Sequence, residues 1–320
     1  MSGTMRDSDR GQRNCVIGVD LGGTKVTVAL SDLDGEILAE ITAPTDPAGG
    51  IRLVEQIAGI TEELCGIAAM SSRSIVATAV GGAGAPVGGL GALAQAPNLV
   101  DVDGVDLGRE LSTRFGHPVV VENDANMAAL AELNHGRGGH HRSFVFITVG
   151  TGIGMGIVID GRLIRGSRGA AGEIGFLPFG ADPLERSNQL RGPLEEVTAG
   201  SWLARAYVGA TGVSETVPRI FDLAATGEAD ALDLLDQEAE HLARAIVAVV
   251  AVIDPGLVIL GGGIGSRREL LVPIQRWLGD YGHPGVSIAI SEFGSRASVV
   301  GAVDLAISTA RNQLSKELTA

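Results

Sequence analysis

Aromatic residues make up only 3% of this 320-residue chain while hydrophobic residues reach 45%, so its core has to be packed from Val, Ile, Leu and Ala. Cysteine is nearly absent. Cys15 and Cys65 lie in separate apolar segments without metal-type spacing, which excludes a disulfide framework and points to buried thiols in a reducing cytoplasmic setting. Positive charge is scarce as well: 24 Lys and Arg against 38 Asp and Glu leave a formal charge of −14, with no basic block. That argues against a nucleic-acid surface, and any phosphate has to be held locally by backbone amides and a few cations. Long apolar runs are missing too. The longest, Ala245 to Ile253, falls well short of the ~20 residues of a membrane span and reads as a buried helix. Residues 1–14 contain no apolar stretch, so they read as a disordered tail and not as a signal peptide.

Glycine, by contrast, is abundant: 47 residues, about twice its usual share of roughly 7%. The glycines cluster without a period, which implies several loops built for tight turns or close ligand approach. The length exceeds what one core usually supports, so two domains or a duplicated fold is expected.

Alternation of apolar residues and turn signals predicts strands at 15–21, 25–32 and 36–43, a helix over 51–69, a strand at 74–80, a helix over 106–115 and the strand PVVVEN at 118–123. FVFITVGTGIGMGIVIDGRLI, at 144–164, repeats the order strand, Gly-rich turn, strand, short turn, strand. Setting Val19 against Val149 puts Gly22 on Gly152 and, after a short gap, Gly35 on Gly161. Beyond a loop region at 165–192 come helices near 194–208 and 228–253, the strand LVIL, a helix to about 281, a strand at 286–290 and a closing helix from about 300. The fold class read from this is α/β, with two similar lobes across a central cleft, the expected ligand site. The lobes are expected at 15–122 and 123–299, with the closing helix (about 300–317) packing back on the first.

Three Gly-rich loops, DLGGTK (20–25), GTGIG (150–154) and GGGIG (261–265), each follow a strand directly. One such loop is more often only a turn, but three together suit phosphate binding by convergent N–H groups. Neither a Walker A sequence nor a G-x-G-x-x-G spacing occurs, so P-loop and Rossmann readings fail. Phosphates are expected on Gly22, Gly23, Thr24, Lys25, Thr151, Gly152 and Gly154, and a nucleoside on Gly261, Gly262 and Gly263. Asp20 ends its strand among these amides. A carboxylate there repels phosphate unless a cation intervenes, so it implies Mg²⁺ held through water, the alternative being a simple Asx turn.

Together with APNL (96–99), VENDANMAALAE (121–132) and GAAGEIG (169–175), these segments resemble the ROK group of repressors, open reading frames and sugar kinases. The resemblance covers residues 15–310 and implies the duplicated actin-like ATPase (RNase H-like) fold, with ATP and Mg²⁺ as cofactors and transfer of phosphate to a hexose hydroxyl. It implies Asp124 as general base, and Gly84, Asn98, Asn123, Asp124, Glu173 and Glu195 as sugar contacts. A cytoplasmic homo-oligomer, a dimer, acting on a small sugar without nucleic acid or membrane is the corresponding expectation.

Two departures stand out. Family glucokinases carry a His after GEIG and three Cys that together hold zinc; here the His position is Phe176 and the loop 176–196 has neither Cys nor His, so no zinc is expected there. GGAGAP at 81–86 also departs from the family's G-A-P-G-P-V. The rival reading is a sugar-sensing regulator, against which stands the shortness of the segment before the first strand. Asp124 itself has two readings, helix cap or base. The helix dipole favours its ionised form, and a low-pKa carboxylate still suffices for late proton removal in phosphoryl transfer.

Overall fold

The computed structural model describes residues 14–87, 92–94 and 105–318. Residues 1–13 of the expected tail, and Asn98, lie outside them. In chain order come β1 (Cys15–Leu21), β2 (Lys25–Asp32), β3 (Ile37–Pro44), α1 (Ile51–Ile67), β4 (Ile75–Gly82), β5 (Ala85–Val87), β6 (Ala92–Ala94), α2 (Leu107–Phe115), β7 (Val119–Asn123) and α3 (Asp124–His135). There follow β8 (Ser143–Val149), β9 (Ile153–Ile159), β10 (Arg162–Leu163), α4 (Arg186–Arg191), α5 (Ala199–Thr211), α6 (Val217–Ala225) and α7 (Ala229–Ile253). β11 (Val258–Gly261), α8 (Gly262–Gly265), α9 (Leu271–Asp280), β12 (Ile288–Ile290) and α10 (Ala297–Leu318) complete the chain.

Contacts divide it into two compact units. The first runs to Asn134 and adds Arg165–Ala170 and the part from Arg296 onward; the second comprises His135–Ile164 and Ala171–Ser295. The division by contacts falls after Asn134, where the expected boundary is 122/123, and α3 packs with the first unit through Met127.

In the first unit the sheet order is β3-β2-β1-β4-β7, with β1–β2 and β2–β3 antiparallel and β1–β4 and β4–β7 parallel. In the second, β10-β9-β8-β11-β12 repeats that order and those senses. This is the expected duplicated α/β fold. The two leading strands have equal length, so their ends align Leu21 with Val149. Gly22 therefore corresponds to Gly150, two residues away from the match with Gly152 that glycine spacing favours.

Alternation along β1 decides what each face meets. Cys15, Ile17, Val19 and Leu21 pack with Leu53, Ile57 and Leu64 of α1 and Leu107 and Leu111 of α2. Val16 faces the other way, with Met127 of α3 and Val299, Ala302 and Val303 of α10. Burying one such aliphatic side chain contributes about 1.5–3 kcal/mol. The same alternation turns Asp20 toward α10.

In the second unit Val145, Ile147 and Val149 of β8 share a core with Leu203, Phe221, Leu242 and Ile246. The run from Ala245 is only partly buried: Ala245, Ile246 and Val249 face inward, while Val252 is 85% exposed. Among the described residues no helix is long and apolar enough to cross a membrane. The helix expected from residue 194 begins only at Ala199, since Glu195–Val197 form a 3-10 turn and Ala199 takes a left-handed φ of 72°. α4 arises within the expected loop region and α6 between the two expected helices; α6 is capped by the Thr216 hydroxyl, which accepts the Arg219 N–H, and has Pro218 in its first turn.

Candidate functional site

Parallel strands β1, β4 and β7 end together in the first unit, with Leu21 opposite Gly82 and Gly82 opposite Asn123. Ligands of open α/β sheets meet such carboxyl ends. Asn123, not Asp124, caps α3: its Oδ1 accepts the N–H groups of Ala125 at 2.9 Å and Asn126 at 3.1 Å. Its Nδ2 donates to the Gly84 carbonyl at 3.1 Å, which fixes the loop after β4. Asp124 is thereby released from capping and accepts the Ala125 N–H at 2.8 Å. Burial pushes its carboxyl above the ordinary range, and the amides of Ala125 and of Asp124 itself pull it part of the way back. The expectation of a low-pKa base is overturned: desolvation outweighs the helix terminus.

Asp20 lies nearby in the electrostatic sense. Burial raises it to about 6, the Ser298 hydroxyl at the start of α10 lowers it, Asp124 raises it and Lys25 lowers it. Glu122 was missed from sequence, although an acid ending an apolar strand is itself a signal. Only 3% exposed, it accepts the Asn123 N–H at 3.0 Å and Asn126 Nδ2 at 2.9 Å, and it forms an ion pair with Arg165.

The hairpin after β1 has its carbonyls tied down. Thr45 donates its hydroxyl to the Gly22 carbonyl at 2.6 Å and its N–H to the Thr24 carbonyl at 3.1 Å, while the Gly22 N–H closes the turn on the Lys25 carbonyl at 3.0 Å. Gly23, Thr24 and Lys25 are exposed. The amides of Gly23 and Thr24 have no acceptor among the described residues.

The matching hairpin of the second unit follows the same rule with different parts. Gly150 and Thr151 carbonyls accept the N–H groups of Gly200 at 2.8 Å and Ser201 at 3.4 Å, and the Ser201 hydroxyl adds a bond to Thr151 at 3.1 Å. The amides of Thr151 and Gly152 are left without an acceptor among the described residues. Gly154 is not part of the loop but pairs with Thr148 within β9.

Glu195 closes over this hairpin. Its Oε2 accepts the Ile153 N–H at 3.1 Å, and a Cβ on Gly152 would lie 2.4 Å from that oxygen. Burial raises the Glu195 carboxyl, the Ile153 N–H lowers it, Glu196 raises it and Arg191 lowers it. Glu173 precedes the 3-10 turn Ile174–Phe176. Its position is set by Gly172, whose φ of 98° and place 1.8 Å (as a Cβ) from the Met155 carbonyl admit only glycine. Gly175 in that turn would put a Cβ 3.6 Å from Glu195 Cβ, so Glu173, Phe176, Glu195 and the Thr151–Gly152 hairpin share one neighbourhood.

The third Gly-rich segment differs from expectation. Gly261 is buried, and a Cβ there would meet the Phe146 ring at 2.2 Å; its glycine answers to packing, not to ligand approach. Gly262 is left-handed at φ 80° and half-buried, and Gly263 is exposed beside open space. Among the described residues no three His, Cys, Asp or Glu side chains are grouped to hold a metal ion. The loop where relatives are expected to hold zinc is closed by backbone bonds, Ala181 N–H to the Pro193 carbonyl and Leu194 N–H to the Gly175 carbonyl, both at 3.0 Å.

Comparison with known proteins agrees with this architecture. Residues 16–309 match the ROK family. A glucokinase of Streptomyces coelicolor is 33% identical over 313 residues, covering 91% of this chain and 96% of that protein. The crystal structure of a ROK family glucokinase from Streptomyces griseus, in complex with glucose and AMPPNP, superposes with a TM-score of 0.77 at 31% identity, covering 92% of this chain and 99% of that one. A ROK family transcriptional regulator homologous to the E. coli MLC protein reaches the same TM-score of 0.77 at 25% identity, covering 92% of this chain and 79% of that one. Matched from its first strand into its last helix, the chain belongs to the ROK family.

Proposed function

We propose that the protein is an ATP-dependent sugar kinase that phosphorylates a hexose hydroxyl, with Asp124 as the general base. The observation that carries this reading is the division of labour at the end of β7: Asn123 caps the helix and leaves Asp124 a half-buried carboxylate with acceptor capacity to spare. As the sugar oxygen bonds to the γ-phosphorus, its proton passes to an Asp124 oxygen while the bond from that phosphorus to the β–γ bridging oxygen breaks, releasing ADP. The unpaired amides of Gly23 and Thr24, and of Thr151 and Gly152, suit phosphate oxygens. Glu173 and Glu195 suit sugar hydroxyls, and Gly263 suits the nucleoside.

Asp20 fits Mg²⁺, a hard cation that takes one or two carboxylates plus water and phosphate oxygens. A half-buried acid pushed up by desolvation and by a neighbouring acid is relieved by a cation. When bound, the ion would supply charge neutralisation at the phosphates, and Asp20 would hold it. Phe176 removes a hydrogen-bonding group that family glucokinases place beside the sugar, so the preferred hexose is expected to differ from theirs.

A coupled assay over a hexose panel tests the reading. Asp124→Asn should cut kcat by about 10²–10⁴-fold with sugar affinity retained; turnover that survives it refutes Asp124 as base. The similarity to a regulator favours one second reading, a sugar sensor. Hexose binding without ATP turnover in the unmodified protein would decide for it.

A further inference from the structure

Glu238 of α7 is a carboxylate that the proposed reaction leaves unused. It is 0% exposed, and both its oxygens lie within hydrogen-bond distance of one donor, the Ala199 N–H, at 2.9 and 3.1 Å. Its neighbours on the buried face of α7 include Leu234, Leu235, Leu242 and Ile246, where an apolar residue would pack without the penalty of a buried acid. What Glu238 holds is the first residue of α5 in a left-handed conformation, φ 72°, which is strained for alanine by about 1–2 kcal/mol. The two residues after Ala199 carry the carbonyls of Gly150 and Thr151, and the 3-10 turn before it carries Glu195 onto the Ile153 N–H. One contact at the Ala199 amide therefore anchors both sides of the Gly150–Ile153 hairpin.

We propose that Glu238 is a positioning residue, which by holding Ala199 presents the amides of Thr151 and Gly152 to a nucleotide phosphate. The inference rests on the kinase reading of that hairpin. Burial pushes the Glu238 carboxyl up to about 8, and the Ala199 N–H pulls it back only in part. Because the folded value is the raised one, the stability it contributes is complete below its ordinary 4.5 and is lost as pH rises from there to about 8. Other titratable groups around it are engaged elsewhere: Glu195 with Ile153, Glu196 with Arg205, Glu240 with Arg244 and Tyr281, and Asp236 with Arg276. His241, one turn along α7, stands edge-on to Trp202 of α5, and Arg219 and Asp222 of α6 are exposed.

Calorimetric titration of Mg·AMPPNP and, separately, hexose into the unmodified protein, Glu238→Gln and Glu238→Ala between about pH 6 and 9 tests this. The glutamine keeps an oxygen for Ala199 but cannot ionise. Nucleotide affinity of Glu238→Ala should be about tenfold weaker than that of the unmodified protein at every pH, with hexose affinity changed less, while Glu238→Gln, whose side-chain oxygen still accepts the Ala199 N–H, should stay within about threefold. If the alanine variant fails to fold, Glu238→Leu, which fills the same apolar face without an acceptor for Ala199, takes its place. A loss in Glu238→Gln as large as in Glu238→Ala, or unchanged affinity in a folded variant without the acceptor, overturns the proposal. No nucleotide binding by the unmodified protein at any pH overturns the kinase reading with it.

Discussion

Replacing Gly152 by alanine separates two roles that meet at one residue. Gly152 is not among the residues with positive φ, so its backbone accepts a side chain. The new Cβ would lie 2.4 Å from Glu195 Oε2 and 2.9 Å from its Cδ, where ordinary carbon contacts are about 3.5–4.0 Å. What it strikes is the free end of a side chain, so the carboxylate swings aside and the backbone stays. The bond from the Ile153 N–H at 3.1 Å is then lost. A hydrogen bond to a charged group is worth about 1.5–3 kcal/mol, which at ~1.4 kcal/mol per decade converts to about 10- to 150-fold. We expect urea unfolding to shift by up to that energy, and kcat/KM for the hexose, which loses its own hydrogen bond to the displaced carboxylate, to fall by that factor in a coupled assay. The decisive measurement is the double-mutant cycle with Glu195→Ala. In that background Gly152→Ala should have no further effect on the hexose. A loss of equal size without Glu195 would refute the reasoning, because the alanine would then be acting through something other than the displaced carboxylate.

Two further outcomes follow from the geometry. Asp20 sits at about 6 in the folded chain against an ordinary 3.8, so the metal-free protein should lose stability as pH rises between these values, by roughly 3 kcal/mol at ~1.4 kcal/mol per pH unit. Denaturation in EDTA across that range should show a shallower slope in Asp20→Asn than in the unmodified protein, and the Mg²⁺ requirement for turnover should rise as pH falls below about 6. Gly261→Ala should destabilise by about 1–3 kcal/mol through its clash with the Phe146 ring at 2.2 Å, and Phe146→Leu should recover part of that in urea unfolding. A raised KM for ATP with unchanged stability would contradict a packing role.

Strand alternation and the repeated Gly-rich hairpins were legible because they are local. Continuous apolar runs such as CVIGVDL and FVFITV identify strands covered on both faces, and the spacing of Gly-rich turns exposes the duplication. Long-range placement was not. Nothing near Glu238 in the chain signals that it meets Ala199, 39 residues away, at the start of α5. Gly261 looks like its two neighbours in sequence, yet only the Phe146 ring, from another strand, distinguishes a packing glycine from an exposed one. The direction of the Asp124 shift failed for the same reason: a local reading sees the helix terminus, whereas burial comes from everything folded around it.

The two hairpins make a stronger case together than either does alone. If their glycines served only to turn the chain, the carbonyls would need no fixed partners and the free amides no common side. Instead Thr45 holds the carbonyls of Gly22 and Thr24, and Gly200 with Ser201 holds those of Gly150 and Thr151. The tethers differ in residue type, in distance along the chain and in secondary structure, so the duplication of strands alone does not account for them. What both achieve is the same polarity: oxygens turned into the protein, two consecutive N–H groups left for something that carries its own oxygens. An exposed amide pair costs little in water, and an anion is the ligand whose binding it favours. Substituting Thr45 by valine, which removes only the bond to Gly22, is therefore a milder probe of that polarity than any change to the glycines themselves.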